Sequence, residues 1–191
     1  QLDADSVFQR FPYSENFSLA AELWRLMDQP SGSLIEAANS LALLPHRLNL
    51  VAKCGSVRFW NDSKATNFHA TLAALRSIDR PIVWIGGGRA KGGDVEAFAQ
   101  QAGGQVDTAV LYGEVAERLA KALKGSLESV HVYECFDHAI AAASELAAKI
   151  PHANVLLSPG FSSYDQFDSF DARGKNFNDT VLSLKNAHKP S

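Results

Sequence analysis

The sequence predicts an α/β fold: a doubly wound, mostly parallel, Rossmann-like sheet preceded by a short helical segment. Three observations carry the prediction. Short apolar runs at Ile82–Ile85, Thr108–Tyr112, Val130–Tyr133 and Asn154–Leu157 alternate with helical patterns near residues 66–78, 94–101, 114–123, 136–149 and 164–184. This is the rhythm of βαβ units, whose parallel strands are covered on both faces. Glycine and polar residues crowd the carboxyl ends of the runs, whereas the opposite connections, such as "SIDRP" and "KIPHA", read as plain turns. A chain of 191 residues, 46% hydrophobic and 20% charged, can also bury a real core.

In chain order, Phe17, Leu19, Ala20, Leu23, Trp24 and Met27 fall on one face of a helix over about residues 16–28. A second helix is predicted over 33–43 after the break "QPSGS". No strand is predicted before these helices, so residues 1–47 are expected to end an upstream domain and residues 48–191 to form the sheet domain. "LNLV" and "VRFW" read as short strands about a "KCGS" turn, a hairpin. Asp62 or Ser63 is then a natural cap for the helix that follows. Ser163 and Gln166 have capping-box spacing before the last helix. Cys54 and Cys135 lack metal-ligand spacing and read as reduced, mostly buried small hydrophobes. The tail "KNAHKPS" is expected to fray.

A formal charge of -3 provides no global basic field, so nucleic acid is not an expected partner. No run approaches about 18 apolar residues and no basic-then-apolar leader opens the chain. The expectation is therefore a cytoplasmic protein without a membrane partner. Starting at Gln1 rather than Met, the chain is expected to be a piece of something longer. "GGGRAK" is not G-x-G-x-x-G, which argues against a dinucleotide-dependent dehydrogenase, and no G-x-x-x-x-G-K-[ST] loop is present. Nor is there a G-x-S-x-G elbow or a closely spaced His and carboxylate set, so no metal site is predicted.

The clusters at the strand ends are informative. After "VRFW" comes "NDSKATN", after "IVWI" comes "GGGRAKGGD", and after "NVLL" comes "SPGFSSYDQF". Ligands of open α/β sheets bind at such ends, where loops converge and helix amino termini offer free N–H groups. Lys64, read as lying in a helix's first turn, opposes the dipole there unless an anion is bound. Arg89 and Lys91 sit beside glycine backbone able to wrap an oxyanion. With hydroxyls from Thr66 and Ser163, these residues favour a small molecule bearing more than one anionic oxygen group, a dicarboxylate or a phosphate. His46 and Arg47, in "LPHR" at the junction of the helices and the sheet, are either surface or binding residues.

Together, "LPHR", "NDSKATN", "GGGRAKGGD" and "LLSPGFSSYDQFDSFDARGKNF" resemble the Mur ligases, and within them the branch that adds D-glutamate to UDP-N-acetylmuramoyl-L-alanine in peptidoglycan synthesis. The resemblance implies the end of an ATPase domain followed by the carboxyl-terminal, amino-acid-binding domain of an ADP-forming acid–amino-acid ligase. It further implies that ATP and Mg2+ serve the full-length enzyme, with the phosphate-binding loop and magnesium ligands outside this stretch. The fragment itself would need no cofactor, supply no catalytic residue and be inactive alone. By the same resemblance Thr66, Lys91, Ser163 and Phe170 match positions that hold the carboxylates of D-glutamate, and Tyr164 one that contributes a backbone contact. Asn16, His46, Arg47, Asp62 and Lys64 match positions on the ATP/ADP side. UDP-N-acetylmuramoyl-L-alanine would be a partner through missing domains, activated as an acyl phosphate. Three departures from the family pattern stand out: Leu19 in place of an asparagine, Arg89 where aspartate is frequent, and "GFSSY" for a more usual "ACASL". A reading of a different class, a free-standing α/β binding module for an acidic metabolite or nucleotide, uses the same residues.

Overall fold

The computed structural model describes residues 1–3, 6–9, 11–41 and 44–187. They fall into two compact units, Gln1–Leu44 and Pro45–Ser191. In the first, helix α1 (Tyr13–Leu26) carries Glu15 in its first turn and Arg25 in its last, a distribution that suits the helix dipole. Trp24 Nε1 donates to Pro30 O, just before α2 (Ser31–Ser40). Leu19, Leu23, Leu26 and Met27 of this unit remain exposed.

The second unit holds β1 (Asn49–Cys54), β2 (Val57–Asn61), α3 (Phe68–Ser77), β3 (Ile82–Gly87), α4 (Val95–Gly103), β4 (Thr108–Tyr112), α5 (Ala116–Leu123), β5 (Val130–Tyr133), α6 (Phe136–Ala147), β6 (Asn154–Gly160) and α7 (Phe170–Ala187). Its sheet has the order β1-β2-β6-β3-β4-β5. The β1–β2 hairpin is antiparallel and every other pairing is parallel, the predicted mostly parallel sheet. Strand alternation divides the core. Ile82 and Trp84 of β3, Ala109 and Leu111 of β4 and Leu156 of β6 face α3, α4 and α5. Val83, Ile85, Val110, Tyr112, Val155 and Leu157 face α6 and α7. Strands β3 and β6 are buried throughout, which is why they read as continuous apolar runs.

This topology positions the site. After β2 and β3 the chain passes to the α3–α4–α5 face, and after β6 to the opposite face through α7. Because β6 lies between β2 and β3, adjacent loops part in opposite directions on either side of it, the switch-point geometry that opens a crevice above a sheet. The three richest polar clusters of the sequence emerge from these three neighbouring strands.

Two of the helix starts that differ from expectation bear on the site. α3 begins at Phe68, and its cap is Asn67, whose side chain accepts from Ala70 N. Asp62 and Ser63 do not cap it, and Lys64 precedes the helix, so the dipole argument for an anion beside Lys64 does not hold. α7 begins at Phe170 rather than near Tyr164, with Ser169 Oγ accepting from Ala172 N. Ser163 and Gln166 instead belong to a turn in which Ser163 O accepts from the N–H groups of Gln166 and Phe167. The Gln166 side chain crosses to α6, accepting from Phe136 N and donating to Glu134 O, and so serves a helix end whose own N-cap, Cys135, forms no side-chain hydrogen bond. Most of the tail "KNAHKPS" lies outside the described residues. No helix among the described residues is long and apolar enough to cross a membrane.

Candidate functional site

The loops leaving β2, β6 and β3 are fastened to one another. Gly160 N donates to Ala65 O, joining the β6 and β2 ends. Arg89 and Ser162 form a reciprocal backbone bridge, Arg89 N to Ser162 O at 2.9 Å and Ser162 N to Arg89 O at 3.2 Å. Ser162 Oγ adds a bond to Arg89 O. Gly88 permits this approach, because at its φ of 122° a Cβ would collide with Ser162 O. Beneath lies an aromatic floor: Phe68 stacks on Phe98 at 4.4 Å, and Phe161 meets both edge-on. A Cβ on Gly93 would lie 2.8 Å from the Phe68 ring, so the glycine loop and the start of α3 are in contact.

The rim brings together most of the residues expected at an acidic-amino-acid site. Lys91 Nζ lies 5.7 Å from the centroid of the Tyr164 ring, and Lys64 Nζ 5.3 Å from that of Phe170. Both lysines thus rest on aromatic faces supplied by the segment after β6, and among the described residues neither has a carboxylate partner. The hydroxyls sort into two groups. Ser63 Oγ donates to Phe170 O, Ser158 Oγ to Asp62, and Ser162 Oγ to Arg89 O. The hydroxyls of Thr66 and Ser163 form no hydrogen bond to the protein among the described residues, although Ser163 is only 3% exposed. Arg89, expected to bind an anion, is engaged elsewhere: Nε donates to Glu114 at 2.8 Å. Its own N–H is taken by Ser162, whereas the N–H groups from Ala90 to Gly93 form no hydrogen bond among the described residues.

On the side expected to meet nucleotide, His46, Arg47, Asp62 and Lys64 adjoin one another. Lys64 N donates to His46 O, and His46 Nδ1 lies 3.0 Å from Asn61 Nδ2. Burial lowers the His46 pKa, opposed by the charge of Asp171. Asn16 is an exposed residue of α1 in the first unit. Asp62 departs from its expected outward role. It is 8% exposed, with one carboxylate oxygen accepting from Leu48 N and the other from Ser158 Oγ, so both fasten the chain internally.

Burial raises the Asp62 pKa to about 7, against the lowering pull of Ser158, Leu48 and Arg47. An unfolded carboxyl ionises near 3.9, so between about pH 4 and 7 the folded protein holds the extra proton and stability falls as pH rises. We expect urea denaturation to show a loss of about 2 kcal/mol from pH 5 to pH 7 that is absent in Asp62→Asn. An unchanged slope in the variant would remove Asp62 as its source.

One organising residue carried no signal in the sequence. Arg173 of α7 is completely buried. Nε donates to Ser63 Oγ, Nη2 to Ser63 O, and Nη1 to Tyr112 Oη and Phe161 O. It thus ties the β2 turn, the end of β4 and the β6 loop together from behind the rim. Burial pushes the Tyr112 phenol up to about 12, so it remains protonated beside the guanidinium. Among the described residues no group of three His, Cys, Asp or Glu side chains is arranged to hold a metal ion.

Residues 46–161 match the family described as "Mur ligase, glutamate ligase domain". The UDP-N-acetylmuramoylalanine--D-glutamate ligase of Thermosynechococcus vestitus is 35% identical over 171 residues, which cover 89% of this chain and 38% of that protein. The ligase of the same name from Latilactobacillus sakei is 36% identical over 171 residues, with 89% and 37% covered. The chain therefore spans less than two fifths of the length of these relatives. Among solved structures, a pseudomurein peptide ligase type C from Methanothermus fervidus superposes with a TM-score of 0.65 at 14% identity, covering 97% of this chain and 37% of that one. The UDP-N-acetylmuramate-alanine ligase MurC of Thermotoga maritima superposes at 0.63 and 14% identity, covering 92% and 39%. At these identities the likeness is one of fold.

Proposed function

Because this chain belongs to the Mur ligase family, through its glutamate ligase domain, we propose that it forms the part of a D-glutamate-adding ligase that receives the incoming amino acid. The observation that carries the reading is the contrast at the rim. At the rim Ser63, Ser158, Ser162 and Arg89 are bonded within the protein, whereas the hydroxyls of Thr66 and Ser163 and the ammonium of Lys91 have no hydrogen-bonding or carboxylate partner among the described residues. Hydroxyl, hydroxyl and ammonium suit two carboxylates, since charge-assisted contacts exceed neutral ones in strength. Tyr164 and Phe170 would form the aromatic side of that pocket, with Lys91 held against Tyr164 and Lys64, against Phe170, at its border with the nucleotide side.

In this reading the chain's work is positional. Gripping both carboxylates fixes the amine of D-glutamate toward an activated carboxyl, an acyl phosphate of UDP-N-acetylmuramoyl-L-alanine, held by the rest of the enzyme. Such orientation can supply several kcal/mol of the barrier as entropy already spent on binding. Lys64, with His46 and Arg47, would lie on the nucleotide side. ATP would supply the phosphoryl group, and we assign none of this chain's residues to its Mg2+. Asp62 would act there indirectly, by fixing Leu48 and the turn that bears Lys64.

Titration of the isotope-labelled chain with D-glutamate, followed by NMR, tests the reading. The amides of Thr66, Lys91 and Ser163 should shift together. Shifts confined to other parts of the chain would refute the assignment of the pocket.

A further inference from the structure

His46 is seated with unusual care. Asn61, completely buried at the end of β2, has its Oδ1 committed to Ser63 N at 3.0 Å. Its Nδ2 therefore faces three groups: Gly174 O at 2.8 Å, Asn178 Oδ1 at 2.7 Å and His46 Nδ1 at 3.0 Å. A carbonyl only accepts, which establishes that the amide nitrogen points this way, and an amide nitrogen only donates. The amide shares its two hydrogens among these three groups and has no lone pair to receive a proton from His46 Nδ1, so the geometry favours Nδ1 as the bare, accepting nitrogen. The ring also needs room against α7. A Cβ at Gly174 would overlap its Nδ1, Cγ and Cε1, which accounts for a glycine inside a helix, where alanine would otherwise be favoured. The backbone agrees: His46 has φ of 61° and Leu48 of 49°, held by Lys64 N on His46 O and by Asp62 on Leu48 N.

We propose that Asn61 is a positioning residue for the nucleotide side of the site: it fixes His46 as the Nε2–H tautomer, with the ring seated on Gly174, so that a neutral imidazole offers one donor to an anionic or ribose oxygen. The inference rests on the reading that His46 meets the nucleotide. Asn61 and Gly174 lie 113 residues apart in sequence, and neither has a chemistry of its own that would mark it as part of a binding site. The charged groups around the ring are Asp171 on α7, which favours protonation, and Arg47, Asp62 and Lys64 in the adjoining segments. A second carboxylate against Nδ1 would turn the ring from neutral donor to cation.

The test is the ring-nitrogen NMR spectrum of His46 in this chain, with kinetics in the ligase that contains it. In the wild type the neutral ring should carry its proton on Nε2; a proton on Nδ1 overturns the proposal. Asn61→Asp puts an acceptor against Nδ1 and should raise the His46 pKa by about one unit or more, as a new opposite charge does. An unchanged titration overturns it. Should that variant fail to fold, Gly174→Ala displaces the ring without touching Asn61 and should give the mixed tautomers of a free histidine, whereas a retained single tautomer overturns the role of the seat. In the ligase, assayed above the raised His46 pKa, where the carboxylate of Asn61→Asp holds the neutral ring as its Nδ1–H tautomer and leaves Nε2 without a proton, the variant should raise the nucleotide KM roughly five- to tenfold, the worth of about one hydrogen bond, and leave that of D-glutamate within about twofold. An unaffected nucleotide KM in His46→Ala would refute the nucleotide reading itself. A raised KM in that variant with a wrong tautomer in the wild type would refute the role of Asn61 alone.

Discussion

Arg173→Leu is expected to lower the stability of the sheet unit by about 3–5 kcal/mol, the range for a buried polar network that loses its centre. Two effects oppose each other. Removing the cation relieves a desolvation penalty, since no carboxylate accompanies Arg173 among the ion pairs described, and leucine occupies a similar volume. Against this, Ser63 Oγ, Ser63 O, Tyr112 Oη and Phe161 O all lose their donor in a region that water does not reach. Each orphaned acceptor costs about 1–3 kcal/mol. The phenol can turn toward another partner, but the two carbonyls cannot, so the loss outweighs the relief. A unit of this size should melt about 10 °C lower by calorimetry. Loss of less than about 1 kcal/mol in urea would mean that the loops hold their places without the guanidinium.

That arginine also shows where sequence reading stops. Strands β4 and β5 were legible to the residue, because each is an apolar run closed by glycine or polar residues. The hairpin was legible from Gly55 in its turn. The position of β6 between β2 and β3 was not, since non-sequential strand order leaves no local trace. Helix starts failed for a related reason. Asp62, Ser63 and Asn67 are all competent caps, and only the path of the chain selects Asn67; Gln166 serves α6 from 30 residues away. At the rim, residue types named the candidates but not their employment. Arg89 and Lys91 look equivalent in "GGGRAKGG", yet Glu114, 25 residues downstream, engages one and leaves the other beside Tyr164. Asp62 likewise reads as a site residue and Ser63 as a cap, and the fold spends them on Leu48, Ser158, Phe170 and Arg173.

The difference between those two cations yields the most decisive functional expectation. In the D-glutamate-adding ligase proposed to contain this chain, Lys91→Ala should raise the KM for D-glutamate about 10- to 100-fold, the equivalent of one charge-assisted hydrogen bond of about 1.5–3 kcal/mol. The KM for ATP should remain within about twofold, because in the proposed arrangement Lys91 belongs to the amino-acid side and Lys64 to the nucleotide side. Turnover should fall as well if the grip on the carboxylates also aims the amine, since an interaction that orients the nucleophile matters in the transition state. Arg89→Ala is the internal comparison. Its guanidinium is exposed and paired with Glu114, an arrangement worth less than about 1 kcal/mol, so its loss should move the D-glutamate KM by no more than about threefold. Equal effects of Lys91→Ala on both substrates would contradict the division of the rim. A larger effect from Arg89 than from Lys91 would move the anion site outward to the Glu114 side and overturn the pocket proposed here.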